Sequence, residues 1–195
     1  MTDVKNILLV GVGGQGIILA SKILAQGLIA AGYDVKMSEV HGMAQRGGSV
    51  TTQIRYGSDV YSPIIGKGQA DIIVAFEKME CLRWIDYLKT EGKVVVNDYE
   101  IPSAPILAGK AKYPERILDV LKEKIDMTVI EAADIAKNEL GNIRTLNIIM
   151  LGALIKALKI DDINVDWKEI IKNNVKSEHA DLNIQAFQKG MEQVK

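Results

Sequence analysis

The sequence has a single cysteine, Cys81, among its 195 residues. One thiol cannot form an intrachain disulfide, and it cannot supply the four thiolates that an iron–sulfur cluster needs. We therefore expect Cys81 to be a structural residue, with a reactive thiol as the less favoured alternative. An excess of either charge is also missing, because 24 Lys and Arg balance 25 Asp and Glu. Without a basic stripe, nucleic-acid binding is not expected.

Long apolar runs are missing too. The uncharged stretch at residues 7–21 is 15 residues long and contains four glycines, whereas a membrane-spanning helix needs about 20 apolar residues. Asp3 stands where a secretory signal would be basic, and no small-residue cleavage site follows it cleanly. With 48% hydrophobic and 25% charged residues, we expect a globular cytoplasmic protein.

Several common catalytic motifs are absent as well. The sequence contains no G-x-x-x-x-G-K-[ST], G-x-S-x-G, C-x-x-C or H-E-x-x-H. Its two histidines, His41 and His179, are 138 residues apart, so a histidine-based metal site is not expected. If the chain belongs to an enzyme, we expect the reactive cofactor to lie elsewhere.

The first 61 residues predict a β-α-β unit followed by a hairpin. A strand is expected at 4–10, where the apolar run at 7–10 is typical of burial on both faces, and residues 15–31 show helical spacing that ends at Gly32. A short strand is expected at 34–38, which completes a unit of nucleotide-binding size. Residues 49–56 alternate between apolar and polar side chains and are rich in β-branched residues. We expect this strand to turn back toward residues 60–61.

After residue 61, alternating strands and helices again predict a parallel sheet. Strands are expected at 71–76, 93–97 and 127–130, with helices at 78–88, 132–140, 145–158, 166–174 and 181–193. Residues 145–158 are apolar nearly all round, which indicates burial by the rest of the fold or by a partner. We predict one domain over 1–195, with an α/β core at about 1–140 and a helical part at about 141–195. Its fold class is a three-layer α/β/α Rossmann-like domain with a mixed, mostly parallel sheet, an inserted antiparallel hairpin and C-terminal helices.

A glycine-rich loop lies between the first strand and the first helix. Residues 11–16 read G-V-G-G-Q-G and fit G-x-G-x-x-G at Gly11, Gly13 and Gly16. Backbone N–H groups at the start of a helix can bind a phosphate, while the alternative is a tight turn without a ligand. A nicotinamide enzyme needs an acid about 20 residues further on, and Glu39 follows Gly16 by 23 residues.

A second glycine-rich stretch occupies residues 41–49, H-G-M-A-Q-R-G-G-S. Arg46 beside Gly47 and Gly48 can present its guanidinium to a carboxylate or a phosphate, and His41 can carry a proton near neutral pH. The alternative is a surface loop with an ordinary exposed arginine. Two glycine clusters in one small domain indicate backbone held close to another group, because glycine is entropically costly to order.

Together, G-V-G-G-Q-G-I and E-x-H-G-M-A-Q-R-G-G-S-V resemble the gamma subunit or domain of the 2-oxoacid:ferredoxin oxidoreductases, most closely the small (beta) subunit of the indolepyruvate type. The resemblance implies a subunit, inactive alone, of a complex that oxidatively decarboxylates arylpyruvates. Coenzyme A accepts the acyl group in such complexes, and ferredoxin accepts the electrons. It also implies that thiamine diphosphate, Mg and 4Fe-4S clusters lie on a large partner subunit.

The resemblance transfers a set of cofactor-binding positions to this chain and offers Arg46 and His41 as candidate catalytic residues. Where relatives that act on pyruvate commonly have an aromatic residue or proline, this chain has His41 or Met43, so the 2-oxoacid stays open. A stand-alone nucleotide-binding module without a catalytic partner is the alternative function. The transferred positions are Gly11, Gly13, Gly14, Gln15, Gly16, Glu39, Arg46, Gly47, Gly48 and Ser49.

Overall fold

The computed structural model describes residues 4–42 and 47–195. Its strands are β1 (Lys5–Val12), β2 (Asp34–His41), β3 (Ser49–Gly57), β4 (Ala70–Ala75), β5 (Leu88–Asn97) and β6 (Asp126–Ile130). In the described residues these six strands form one sheet in the order β2-β3-β1-β4-β5-β6. β1, β4, β5 and β6 are parallel, whereas β3 is antiparallel to both of its neighbours. The predicted mixed, mostly parallel sheet is therefore confirmed.

The hairpin is present, but its predicted partner strand was wrong. β3 pairs with β2, as at Val50 and His41, and not with residues 60–61. β2 continues three residues past the predicted end at 38, so it provides the outer neighbour that β3 needs. The chain after β3 instead crosses one face of that strand. There, the backbone N–H of Ile65 donates to Oε1 of Gln53 over 2.6 Å.

Helices cover both faces of the sheet. They are α1 (Ile17–Ala30), α2 (Lys78–Trp84), α3 (Ala104–Leu107), α4 (Ile117–Lys122), α5 (Ala132–Asp134), α6 (Leu146–Ala157), α7 (Trp167–Asn174) and α8 (Ala180–Glu192). One apolar core joins α1, α5, α6, α7 and α8 to the sheet, and a second joins α2 and α4 to the opposite face. Alternation in β1 explains both cores, because Ile7 faces the first and Leu8 the second.

Two predicted helices are shorter or less regular than expected. The helix expected at 78–88 ends earlier, because a 3₁₀ turn at Ile85–Tyr87 leads into β5 at Leu88. The helix expected at 132–140 is α5 followed by a π-helical turn at Ile135–Glu139. A 3₁₀ turn at Ile143–Thr145 precedes α6. The short helices α3 and α4 were not predicted, because neither is long enough to show a helical period.

The apolar helix α6 is buried by its own fold. Every residue from Leu146 to Ile155 is buried, and α8 packs closely against it through two glycines. A Cβ at Gly190 would lie 1.9 Å from the carbonyl oxygen of Ile149, and one at Gly152 would lie 2.1 Å from that of Phe187. The predicted alternative of a partner covering this helix is therefore not needed. Within the described residues, none of the helices has the length and hydropathy to cross a bilayer.

Candidate anion-binding site

The glycine loop lies where the connections leave the sheet in opposite directions. β1 leads through this loop to α1 on one face, and the neighbouring parallel strand β4 leads to α2 on the other. Open α/β sheets bind ligands in the crevice that this reversal creates at the carboxyl ends of the strands. Gly14 and Gly16 have φ angles of 102° and 76°, and Gly16 directly precedes α1. The loop therefore needs glycine to bring the start of α1 to this crevice.

The two glycine-rich stretches are hydrogen-bonded to each other. The N–H of Gly13 donates to the carbonyl oxygen of Gly48 over 2.8 Å, and the N–H of Gly47 donates to that of Gly13 over 3.4 Å. These bonds follow the last register pair of β1 and β3, Val12 with Ser49. The structure thus brings the two predicted stretches into one site.

The glycines of the first stretch have different roles. A Cβ at Gly11 would lie 2.9 Å from Phe76 Cβ, and Gly16 combines a φ of 76° with an Asn147 side chain 2.6 Å from the same position, so both positions require glycine. A Cβ at Gly14, by contrast, meets no described atom within 4 Å. α1, which is described throughout, has no acidic residue in its first turn and no side-chain cap. Its N-terminal amides and dipole therefore favour an anion near Gly14.

The side chain of Gln15 stabilises the loop through two hydrogen bonds to the backbone. Its Oε1 accepts the N–H of Val12 over 2.8 Å, and its Nε2 donates to the carbonyl oxygen of Phe76 over 2.8 Å. Asn97 Nδ2 donates to the same carbonyl oxygen over 3.1 Å. The side chain of Gln15 therefore connects the ends of β1 and β4, and both ends of its amide are engaged within the fold.

Two buried asparagines support the site and were missed by sequence reasoning. Asn147, in the first turn of α6, donates from Nδ2 to the carbonyl oxygen of Gly16 over 3.1 Å. The Oδ1 atoms of Asn97 and Asn147 are buried and accept no hydrogen bond from the described part of the chain. Each is a single amide side chain at the end of an apolar strand or at the start of an apolar helix. Such a position indicates a hydrogen-bonding role, because buried polar groups are nearly always hydrogen-bonded, but apolar periodicity does not reveal the partner.

Clefts open on both sides of the glycine loop. One, of about 410 Å³, is lined by the loop, Ile18 and His41. The other, of about 520 Å³, is lined by the loop, Tyr99 and Arg144. Arg144 is exposed and was also missed, although its guanidinium is a second potential partner for an anion beside the loop.

The remaining predicted residues occupy different positions. His41 ends β2 and is exposed at the first cleft, with its Nδ1 3.5 Å from the carbonyl oxygen of Gly42. Glu39 is exposed on β2, and β3 separates that strand from β1. This order does not support a nicotinamide ribose site, in which the acidic residue follows the strand next to β1. Arg46, the predicted anion contact, lies outside the described residues.

Ser49 is engaged by a buried carboxylate. Its Oγ donates to Oε2 of Glu80 over 2.5 Å, and Nη1 of Arg83 donates to Oε1 of Glu80 over 2.9 Å. Burial is the main cause that raises the pKa of Glu80 above its ordinary value, and its hydrogen bond with Ser49 opposes that shift. The Ser49 hydroxyl is thus already directed at Glu80, leaving its backbone as the part that faces the glycine site.

The single thiol is far from reactive. Cys81 is fully buried in the second core, and burial raises its pKa to about 12. The expectation of a structural cysteine agrees with this position. Among the described residues, no three His, Cys, Asp or Glu side chains group closely enough to hold a metal ion.

Comparisons with known proteins agree over the whole chain. A model of the pyruvate ferredoxin/flavodoxin oxidoreductase family matches residues 6–193. The indolepyruvate oxidoreductase subunit IorB of Thermococcus kodakarensis is 39% identical, over 97% of this chain and 96% of that protein. The 2-oxoglutarate synthase subunit KorC of Methanocaldococcus jannaschii is 33% identical, over 98% and 94%.

Solved structures show the same fold. The gamma subunit of a keto/oxoacid ferredoxin oxidoreductase from Geobacter sulfurreducens is 25% identical, with a TM-score of 0.71 and 97% of each chain covered. The 2-oxoglutarate:ferredoxin oxidoreductase of Magnetococcus marinus is similar in fold alone, with 23% identity and a TM-score of 0.74. This similarity covers 99% of the present chain but 31% of that chain.

Proposed function

The chain belongs to the pyruvate ferredoxin/flavodoxin oxidoreductase family, and we propose that it is the small subunit of an indolepyruvate-type 2-oxoacid:ferredoxin oxidoreductase. The observation that carries this assignment is a gradient of identity among full-length relatives. Four proteins named IorB are 37–39% identical, whereas the KorC subunits are 30–33% and the gamma subunits of pyruvate/ketoisovalerate enzymes 28–29% identical. Arylpyruvates are therefore the proposed substrates of the complex.

The redox groups of such a complex belong, in this proposal, to a large partner subunit. Thiamine diphosphate, Mg and 4Fe-4S clusters supply the decarboxylation and electron-transfer chemistry there. The donor set of this chain does not fit a cluster, because its one cysteine is fully buried with a pKa of about 12 and a cluster needs four thiolates. No step on a metal or cluster is therefore assigned to this subunit.

The proposed contribution of this chain is an anion site beside the partner's active site. The N-terminal amides of α1 and the open backbone at Gly14 suit a phosphate of coenzyme A or the carboxylate of the 2-oxoacid. His41 and Arg144 line the clefts on either side of the loop, and Arg46 follows in the second glycine stretch. Gly47 and Gly48 hold that stretch against Gly13.

The stand-alone nucleotide-binding module is not favoured. The curated relatives described above are named as subunits of an indolepyruvate oxidoreductase and of a 2-oxoglutarate synthase, and each matches this chain over nearly its full length. A free nicotinamide dehydrogenase gains no support either, because β3 separates Glu39 from the strand that carries the glycine loop.

Co-expression with the thiamine-dependent large subunit tests the proposal. We expect the two chains to copurify, and we expect reduction of ferredoxin to require both chains, coenzyme A and a 2-oxoacid. The kcat/KM of the complex should be about tenfold or more higher for indolepyruvate and phenylpyruvate than for pyruvate and 2-oxoglutarate, because a substrate pocket for an aromatic side chain discriminates by size and polarity. A chain that purifies alone, binds an adenine nucleotide tightly and adds nothing to the large subunit contradicts the proposal.

A further inference from the structure

Both glycine-rich stretches are anchored to one short segment, residues 76–80, which we call the β4–α2 junction. Gln15 Nε2 donates to the carbonyl oxygen of Phe76 over 2.8 Å, and Ser49 Oγ donates to Glu80 Oε2 over 2.5 Å. The partners are 61 and 31 residues apart in sequence. The junction thus supports the first stretch at one end and the second stretch at the other.

Glu80 is held at the junction through its backbone N–H as well as through its carboxylate. The residue is 3% exposed, and its N–H donates to Oε2 of Glu77 over 2.9 Å. Glu77 is itself buried, and its Oε1 accepts the N–H of Ile101 over 3.2 Å and the hydroxyl of Tyr113. Arg83 donates to Oε1 of Glu80, the carboxylate oxygen that Ser49 does not contact.

Stability alone does not account for such an arrangement. Desolvating a carboxylate is costly, and an ion pair with the half-exposed side chain of Arg83 offsets little of that cost. What Glu80 provides, and an apolar side chain does not, is a directional acceptor for the hydroxyl of Ser49. Ser49 follows Gly48, whose carbonyl oxygen accepts the N–H of Gly13.

We propose that Glu80 is a positioning residue that, through Ser49, fixes the second glycine stretch against the first. The inference rests on the proposed function of the glycine site as an anion site in the oxidoreductase complex. Removing the carboxylate frees the start of β3 beside Gly48 and weakens the bond from Gly13. The amides that face the ligand then lose their fixed geometry, although Glu80 itself touches no substrate.

Amide hydrogen exchange of Gly13, measured by NMR on the full chain, tests the positioning directly. Ser49→Ala and Glu80→Ala should each speed exchange of this amide by about tenfold or more, because the hydrogen bond between the side chains of residues 49 and 80 is lost. Glu80→Gln and Ser49→Thr keep an acceptor and a hydroxyl and should stay near the wild-type rate. Asn174→Ala is the matched control, because it removes another long-range side-chain bond, from Asn174 Nδ2 to Gln26 Oε1 at 2.5 Å. Unchanged Gly13 exchange in Ser49→Ala and Glu80→Ala overturns the proposal.

Kinetics of the reconstituted complex separate positioning from a general structural role. In Ser49→Ala and Glu80→Ala we expect KM for coenzyme A or for the 2-oxoacid to rise about five- to tenfold, with the double variant no worse than either single variant. Asn174→Ala should leave both KM values unchanged. Faster exchange with unchanged KM values makes Glu80 merely structural and overturns the assignment. If the wild-type chain restores no activity, the proposed function fails, while the exchange experiment still decides whether Glu80 fixes the loop.

Discussion

The backbone N–H of Gly13 donates to the carbonyl oxygen of Gly48 over 2.8 Å, and this bond makes one site out of two motifs that are far apart in the sequence. Each motif alone has an ordinary explanation as a turn or a surface loop. Joined at the end of β1, they bring the amides of α1 beside His41 and the open backbone of Gly14. The properties of this joint site, and of the packing beneath it, lead to four predictions.

Gly14→Ala should weaken ligand binding beyond its effect on stability. Gly14 and Gly32 both have positive φ, 102° and 89°, and a Cβ at either meets no described atom within 4 Å. Alanine at each position should therefore cost about 1–2 kcal/mol of unfolding free energy from backbone strain. Gly14 faces the proposed anion site, whereas Gly32 lies beyond the far end of α1. Gly14→Ala alone should therefore raise KM for coenzyme A or for the 2-oxoacid in the reconstituted complex. Equal KM values for the two variants contradict a ligand at this loop.

Gly190→Ala should strongly destabilise the chain. The added methyl group would lie 1.9 Å from the carbonyl oxygen of Ile149, so α8 must move away from α6. We expect a loss of about 2–3 kcal/mol or more in the free energy of unfolding, measured by urea titration. Gly42→Ala is the control, because a Cβ there meets no described atom within 4 Å. A wild-type midpoint for Gly190→Ala is incompatible with the observed packing of these helices.

Cys81 should resist thiol reagents while the chain is folded. Burial raises its pKa to about 12, so the thiol is protonated at pH 8 as well as inaccessible. Labelling with a chromogenic disulfide should require denaturant. In the variant Tyr61→Cys, whose side chain replaces one that is 94% exposed, one thiol should react at once and Cys81 should react only on unfolding. Rapid labelling of the native wild-type chain would falsify the buried position.

The effect of Glu80→Gln on stability should depend on pH. The pKa of Glu80 is raised in the folded chain, chiefly by burial, so ionisation is less favourable in the folded state than in the unfolded state. The resulting penalty is absent below the ordinary pKa of 4.5 and grows as pH rises toward and through the folded value. Compared with wild type, Glu80→Gln should therefore gain unfolding free energy as the pH is raised from below to well above the ordinary pKa of 4.5. Urea titrations across that range measure the difference, and a difference that is constant with pH counts against the shift.

Much of the fold follows from local pattern, because strands buried on both faces and long helices have distinct apolar periods. The partner of β3 does not follow in this way. A strand of alternating polar and apolar residues can pair with the free edge of any neighbouring strand. The length of β2 decides that Val50 pairs with His41. The glycine site was predicted for the same local reason, since its motifs are contiguous. Its supports, Asn147 and Glu80, were not predicted, because their partners are distant in sequence.

The close packing of α6 and α8 has a consequence for how such a unit is assembled. Because Gly152 and Gly190 let α8 cover the most apolar helix, that helix is buried within this chain. The match to IorB of Thermococcus kodakarensis covers 96% of that protein, whereas the same fold accounts for 31% of the longer Magnetococcus marinus chain. A helix that is buried by its own fold keeps the same packing whether the unit stands alone or lies within a longer polypeptide.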